Sequence, residues 1–132
     1  MRGPKINPVE TPAAKVADDA AILSKSAVRA ARLLGFSQRA LADILGISDA
    51  TASRLFAGKY ELSRERAKEW ELAVLFVRLF RSLDALWGHD EAARKWLASD
   101  NLSLGAAPAT LVGSVQGLVR VVTYLDSARG RL

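Results

Sequence analysis

The sequence predicts an all-α fold with two helical parts joined by a long helix. Apolar residues recur every three to four positions through most of the chain, the period of an amphipathic helix. Glycines and serines fall between these segments, where helices end and begin. Only residues 121–124, VVTY, favour a strand, and they lie between Val115 and Leu125 at helical spacing. With 132 residues, half of them hydrophobic, the chain can form one medium domain or two small ones sharing a core.

Composition argues against several classes of protein. The chain has no cysteine, which excludes disulfides and thiolate metal sites, and its single histidine, His89, cannot form a histidine cluster. His89 stands beside Asp90 and Glu91 in a pattern typical of a helix start, and no glycine-rich phosphate loop is present. We therefore expect a protein that is not an enzyme and holds no cofactor or metal. No apolar run is long enough to span a membrane and residues 1–10 lack a signal-peptide core, so a cytoplasmic location is expected.

The N-terminal residues 1–17 are predicted to form a flexible arm. They contain three of the four prolines and show little apolar periodicity. From Asp18 to Leu34 the sequence becomes rich in alanine and leucine, with an apolar stripe at helical spacing. We expect the first helix over this stretch, ending at Gly35 because glycine tolerates the left-handed conformation.

Two short helices follow, with a tight turn between them. Ser37 and Ser48 stand where these helices should begin, since a serine oxygen accepts a hydrogen bond from an unpaired amide. Gly46 and Gly58 stand where the two helices should end. Helices bounded in this way have the spacing of a helix-turn-helix, whose second helix enters the major groove of DNA. We assign residues 18–66 to this N-terminal helix-turn-helix domain.

The exposed residues of this motif suggest how it would contact DNA. Its interior is expected to form from Leu41, Ala42, Leu45, Ile47, Ala52 and Leu55. Arg54 can reach a phosphate or a guanine edge, and the amides near Gln38 lie at a helix N-terminus, where phosphates bind. Asp49 would repel phosphate and is expected to face a base amino group or solvent. The predicted DNA-binding residues are Gln38, Arg39, Ser48, Asp49, Ala50, Thr51, Ser53, Arg54 and Lys59.

Positive charge is concentrated in the same segment. Residues 24–60 carry six lysines and arginines against two aspartates, a net +4 of the chain's formal +5. A compact basic segment that coincides with a helix-turn-helix suits a polyanion such as double-stranded DNA. The alternative is an ordinary solvated surface over a plain helical hairpin.

A long fourth helix is expected over residues 63–87. Its second half is apolar on two faces and leaves only a narrow polar stripe through Glu71, Arg78 and Ser82. A helix that is apolar on more than one face is buried on more than one side. It is therefore either the spine of the monomer or also a surface for a second chain. We assign residues 67–132 to a small C-terminal helical domain.

This C-terminal domain is predicted to hold further, shorter helices. Asp90 can begin the first, Pro108 suits the first turn of the next, and Ser114 can begin the last. Gly113 and Gly117 would each cost roughly 1 kcal/mol inside a helix relative to alanine. Either another backbone approaches closely there, or a turn splits the segment at Gly113.

A resemblance to known proteins becomes visible at these positions. The C-terminal half has a Trp-Leu pair before a turn, a Gly-x-x-Pro-x-x-Leu step, and small residues in the last helix. This pattern is similar to the toxin-binding domain of the Xre/MbcA/ParS antitoxin family, over roughly residues 70–132. Residues 36–60 resemble the Xre-type helix-turn-helix of phage repressors and bacterial antitoxins.

The resemblance implies an antitoxin of a type II toxin–antitoxin system. In this family the toxin typically carries a RES domain and degrades NAD, and the antitoxin places its C-terminal end near the toxin's active-site entrance. Family members also dimerise and can repress their own operon. The implied partners are a RES-domain toxin, double-stranded operator DNA and a second copy of the chain, in a homodimer or larger complex. The implied toxin-binding residues are Trp96, Asn101, Gly105, Pro108, Ser114, Gly117, Arg129, Arg131 and Leu132.

Three of these residues have a structural alternative. Trp96 is either an interface anchor or part of the core. Arg129 and Arg131, near a polar and basic end, either enter a pocket for the pyrophosphate of NAD or belong to a frayed terminus. Ser127 and Ala128 stand where the family has a basic–apolar pair, which departs from its pattern.

Two other functions are compatible with the same residues. A stand-alone repressor would use its C-terminal half only to dimerise. An adaptor that does not bind DNA would fail to retard its own promoter fragment in a mobility-shift assay. A toxin gene in the adjacent reading frame would favour the antitoxin over the repressor.

Overall fold

The computed structural model describes residues 12–130, and over this range it confirms the predicted all-α fold. The only extended pairing in that range is an isolated antiparallel bridge between Asn101 and Ala106. The helices are α1 (Pro12–Leu34), α2 (Gln38–Leu45), α3 (Asp49–Phe56), α4 (Ala67–Trp87), α5 (Glu91–Ala98), α6 (Pro108–Leu111) and α7 (Val115–Gly130).

Helix α4 supplies the centre of the core. It packs against α1, α2, α5 and α7, as a helix apolar on several faces must. Phe76, Leu79 and Leu83 are fully buried in it. The Phe76 ring meets Phe36, in the turn before α2, edge to face with 5.6 Å between the ring centroids. The buried apolar residues of both halves of the chain form one continuous cluster.

The first helix begins earlier than predicted. It starts at Pro12 rather than Asp18, because proline lacks the amide hydrogen that a first helical residue leaves unpaired. The rest of the predicted arm, residues 1–11, lies outside the described residues. Further along α1, the buried Ser24 hydroxyl accepts a hydrogen bond from the Leu62 amide at 2.9 Å. This bond fastens the loop after α3 to α1.

The fourth helix begins later than predicted. Ser63 starts a turn instead of the helix: its hydroxyl accepts from the Glu65 amide at 3.2 Å, and its carbonyl accepts from the Arg66 amide at 3.0 Å. Helix α4 therefore begins at Ala67. Asp90 precedes α5 as predicted, but its side chain makes no capping hydrogen bond.

The end of the described chain is helical through Gly130, so the alternative of a frayed terminus does not hold for residues 126–130. Asp126 accepts a hydrogen bond from the Arg78 guanidinium, and Arg129 donates to the Ser82 hydroxyl at 3.2 Å. Ser82, which the sequence places on the narrow polar stripe of α4, is fully buried. A buried hydroxyl needs partners, and α7 supplies them.

Gly113 and Gly117 lie in different surroundings. A turn at Gly113 separates α6 from α7, and a Cβ added there would have no atom within 4 Å. A Cβ at Gly117 would lie 1.8 Å from the Leu111 carbonyl oxygen, which a real carbon atom cannot do. The sequence left a close approach and a turn as alternatives, and the structure shows one at each glycine.

We expect Gly117→Ala to destabilise the fold by about 1–3 kcal/mol, the usual cost of overpacking, because the Leu111 backbone must move. Gly113→Ala has room and should be neutral or stabilising by up to about 1 kcal/mol. Urea unfolding of both variants measures the difference. Equal stability of the two would contradict the close approach at Gly117.

Candidate nucleic-acid interface and C-terminal surface

The local structure of the helix-turn-helix follows from its caps. The Ser37 hydroxyl accepts a hydrogen bond from the Ala40 amide at 3.0 Å, and the Ser48 hydroxyl accepts one from the Thr51 amide at 3.1 Å. Gly46 is left-handed, with φ 69°, which turns the chain from α2 into α3. Both predicted serine caps and the predicted glycine turn are therefore present.

The exposed face of α3 presents small polar groups and one long cation. Eight of the nine predicted DNA-binding residues are exposed, and Thr51 is half-buried. The Ser48 hydroxyl donates to the Thr51 hydroxyl oxygen at 2.9 Å, so the proton of Thr51 can still be donated outward. Asp49, Ala50 and Ser53 lie on the same face as Arg54. A face of this kind can contact both phosphates and base edges.

Arg54 belongs to a cluster of four side chains, here called the Tyr60 cluster: Arg54, Tyr60, Arg66 and Glu69. The guanidinium carbons of Arg54 and Arg66 lie 5.9 Å and 4.9 Å from the centroid of the Tyr60 ring. The Tyr60 hydroxyl donates to the Glu69 carboxylate at 2.6 Å, and the same oxygen accepts from Nε of Arg66 at 2.6 Å. The cluster joins α3, the following loop and the first turn of α4.

Electrostatics in the Tyr60 cluster favour the neutral phenol. Burial first, and then the hydrogen bond and negative charge of Glu69, raise the pKa of the Tyr60 hydroxyl above its ordinary value near 10. The hydrogen bond to Glu69 also raises the pKa of Arg66. Tyr60 thus stays a hydrogen-bond donor under ordinary conditions.

For Tyr60 the sequence left open a contact with a backbone phosphate or a place in a solvated loop, and it gave no site role to Arg66 or Glu69. Arg66 and Glu69 have the i,i+3 spacing of a helical ion pair, which is a usable but common signal. Their link to Arg54 runs through the Tyr60 ring in the loop between α3 and α4, and it depends on how that loop folds back. No local pattern encodes that path.

Most of the implied toxin-binding residues shape the C-terminal backbone. The Asn101 side-chain oxygen accepts from the Leu104 amide at 3.1 Å, and the Gly105 amide, at φ 82°, donates to the Asn101 carbonyl at 2.8 Å. Pro108 is buried at the start of α6. The Ser114 hydroxyl accepts from the buried Gly117 amide at 3.1 Å. These residues set the course of the chain between α5 and α7.

Trp96 is half-buried in a stack of aromatic rings. Its centroid lies 5.3 Å from that of Trp87 and 6.0 Å from that of Tyr124. Trp96 and Tyr124 pack against the core. The outer member of the stack, Trp87, is 41% exposed, so the stack also reaches the surface.

Of the last three implied toxin-binding residues, the structure describes only Arg129. Arg129 is held by Ser82, as described above, rather than projecting from a frayed end. Arg131 and Leu132 lie outside the described residues.

Three exposed apolar side chains in this half were absent from the predicted sites. Leu102, in the turn after α5, is fully exposed, and Val115 and Val119 on α7 are 48% and 43% exposed. Arg120 donates to the Ser103 carbonyl at 3.1 Å, which brings that turn against α7. Val115 and Val119 stand at i,i+4 outside the buried stripe of α7, and this spacing was a readable signal.

Comparisons with known proteins divide the chain into two adjacent parts. Residues 14–78 match the family model of the antitoxin Xre-like helix-turn-helix domain. Residues 82–131 match that of the antitoxin Xre/MbcA/ParS C-terminal toxin-binding domain. Members of these two families are, in general, not enzymes. No curated protein matches the chain. Within residues 12–130, no helix is both long and apolar enough to cross a membrane.

The raised pKa of Tyr60 can be measured directly, because the chain has only two tyrosines. In a Tyr124→Phe variant, the ultraviolet tyrosinate signal reports Tyr60 alone, and we expect its midpoint above pH ~10. The stabilisation from protonated Tyr60 is complete below the unfolded-state pKa and is lost as the pH rises through the folded-state pKa. Adding Glu69→Gln should lower the midpoint. An unchanged midpoint would contradict the role of Glu69.

Proposed function

Because the chain belongs to the Xre/MbcA/ParS-type antitoxins, we propose that it neutralises a RES-domain toxin that degrades NAD and binds operator DNA to repress its own operon. The tandem of the two matched domains is the observation that carries this proposal. A protein that only repressed transcription would have no need of a toxin-binding domain.

The DNA-binding part of the proposal is supported by the surface of α3. The capped helix presents Arg54 and short polar side chains outward, within a segment of net charge +4. A single short helix reads few base pairs, so we propose that a dimer or larger complex binds DNA. Two recognition helices about one DNA turn apart, roughly 34 Å, would then meet two half-sites.

The toxin-binding part is supported by the exposed apolar side chains of the C-terminal half. Leu102, Val115 and Val119 are the surface that an interface could bury, while Asn101 and Gly105 hold the turn that carries Leu102. We propose that this surface, with the edge of the Trp96 stack, contacts the toxin. From the family resemblance we also include Arg131 and Leu132.

The first experiment is co-expression with the product of the adjacent reading frame. A stable complex, rescued growth and preserved cellular NAD would support all of the toxin-binding proposal. Rescue without any change of NAD in the unprotected cells would retain the antitoxin and reject the RES toxin. No complex and no rescue would favour the stand-alone repressor, whose C-terminal half only dimerises.

Arg54→Ala should weaken operator binding by about 1–3 kcal/mol, the usual worth of one good arginine contact, without affecting toxin neutralisation. Arg81→Ala is the matched control, because Arg81 is an exposed arginine of α4 and its removal changes the net charge equally. Electrophoretic mobility shifts at fixed salt measure the difference. Loss of both activities in Arg54→Ala would contradict the division of labour between the domains.

Leu102→Ser should weaken toxin binding roughly tenfold, as expected if most of a leucine side chain becomes buried in the complex. Ile22→Ser is the control, since Ile22 is an exposed apolar residue of α1, at 61% exposure, outside the toxin-binding domain. Titration calorimetry with the purified toxin compares the two variants. Equal affinities would exclude Leu102 from the interface.

A further inference from the structure

The cationic side chain on the exposed face of α3 is held by its neighbours. Arg54 lies over the Tyr60 ring, with 5.9 Å between its guanidinium carbon and the ring centroid. An arginine on an exposed helix face samples many rotamers, and binding through it requires most of that freedom to be given up. Contact with an aromatic face restricts the guanidinium before DNA arrives.

The Tyr60 ring is itself fixed at its far end. Its hydroxyl donates to Glu69 at 2.6 Å, and Glu69 also accepts from Arg66 at 2.6 Å. The ring packs against the core as well. A ring held at both its edge and its hydroxyl offers Arg54 a surface of defined orientation.

The two arginines over the ring differ in their charge balance. Arg66 forms an ion pair with Glu69. Arg54 forms no ion pair with any carboxylate in residues 12–130. The positive charge of Arg54 is therefore available to a phosphate or to the acceptors of a guanine, whereas that of Arg66 is used within the protein.

We propose that Tyr60 is a positioning residue for DNA binding, which orients the Arg54 guanidinium while Glu69 and Arg66 hold the Tyr60 ring. This inference rests on the proposed operator binding. It assigns to the loop after α3 a part in orienting the Arg54 guanidinium, through the Tyr60 side chain rather than through the backbone.

A double-mutant cycle tests this role with a duplex from the region upstream of the chain's own gene. Tyr60→Leu should weaken binding by roughly three- to tenfold in the wild-type background. In the Arg54→Ala background the same substitution should have no further effect, because its target is gone. Thermal unfolding of each variant establishes that the folded state is retained.

Tyr60→Phe keeps the test decisive if Tyr60→Leu fails to fold. It retains the ring but loses the hydrogen bond to Glu69, and we expect a smaller loss of affinity that again vanishes in Arg54→Ala. Equal losses in both backgrounds would show a merely structural role and overturn the inference, as would the absence of any loss. If the wild-type chain did not bind the duplex while the toxin complex formed, operator binding and this inference would both be rejected, but the antitoxin assignment would stand.

Discussion

The burial of α4 on several sides is the constraint on which the rest of the structure depends. Phe76, Leu79 and Leu83 are fully buried along one face of α4, and Val77 and Ser82 extend the buried surface to either side of that face. No single neighbouring helix could cover a surface this wide. Helices from the N-terminal half cover some faces of α4, and α5 and α7 cover others. A sequence with this much apolar surface on one helix must bring both halves of the chain to it.

Local chemistry made the helix-turn-helix predictable. Ser37 and Ser48 cap their helices within three residues, and Gly46 adopts the left-handed conformation that its position suggested. Such signals act over one turn of helix, so they can be read without knowing the tertiary fold. Pro108 was recognised at the start of α6 for the same reason.

Long-range pairs explain the errors. The polar residues at the end of α7 resemble a frayed terminus until Arg129 is placed beside Ser82, forty-seven residues away. The sequence places Ser82 on a polar stripe but does not show that it is buried, because the partners of its hydroxyl lie on another helix. The Tyr60 cluster shows the same limit, because its contacts join α3, the loop after it and the first turn of α4, and the path of that loop is not encoded by helical spacing. Periodicity identifies a helix, but it does not identify what that helix packs against.

The buried link between Ser82 and α7 has a consequence for how the protein is removed from a cell. Ser82 begins the part of the chain matched to toxin binding, yet it lies on the helix that also closes the core of the DNA-binding part. A protease that digested α7 would strip α4 of a covering helix and leave the Ser82 hydroxyl without its partners. The apolar surface of α4 that α7 covered would be exposed to water, which favours unfolding. Degradation from the C-terminal side would then eliminate both proposed activities together, so the chain would be turned over as a single unit.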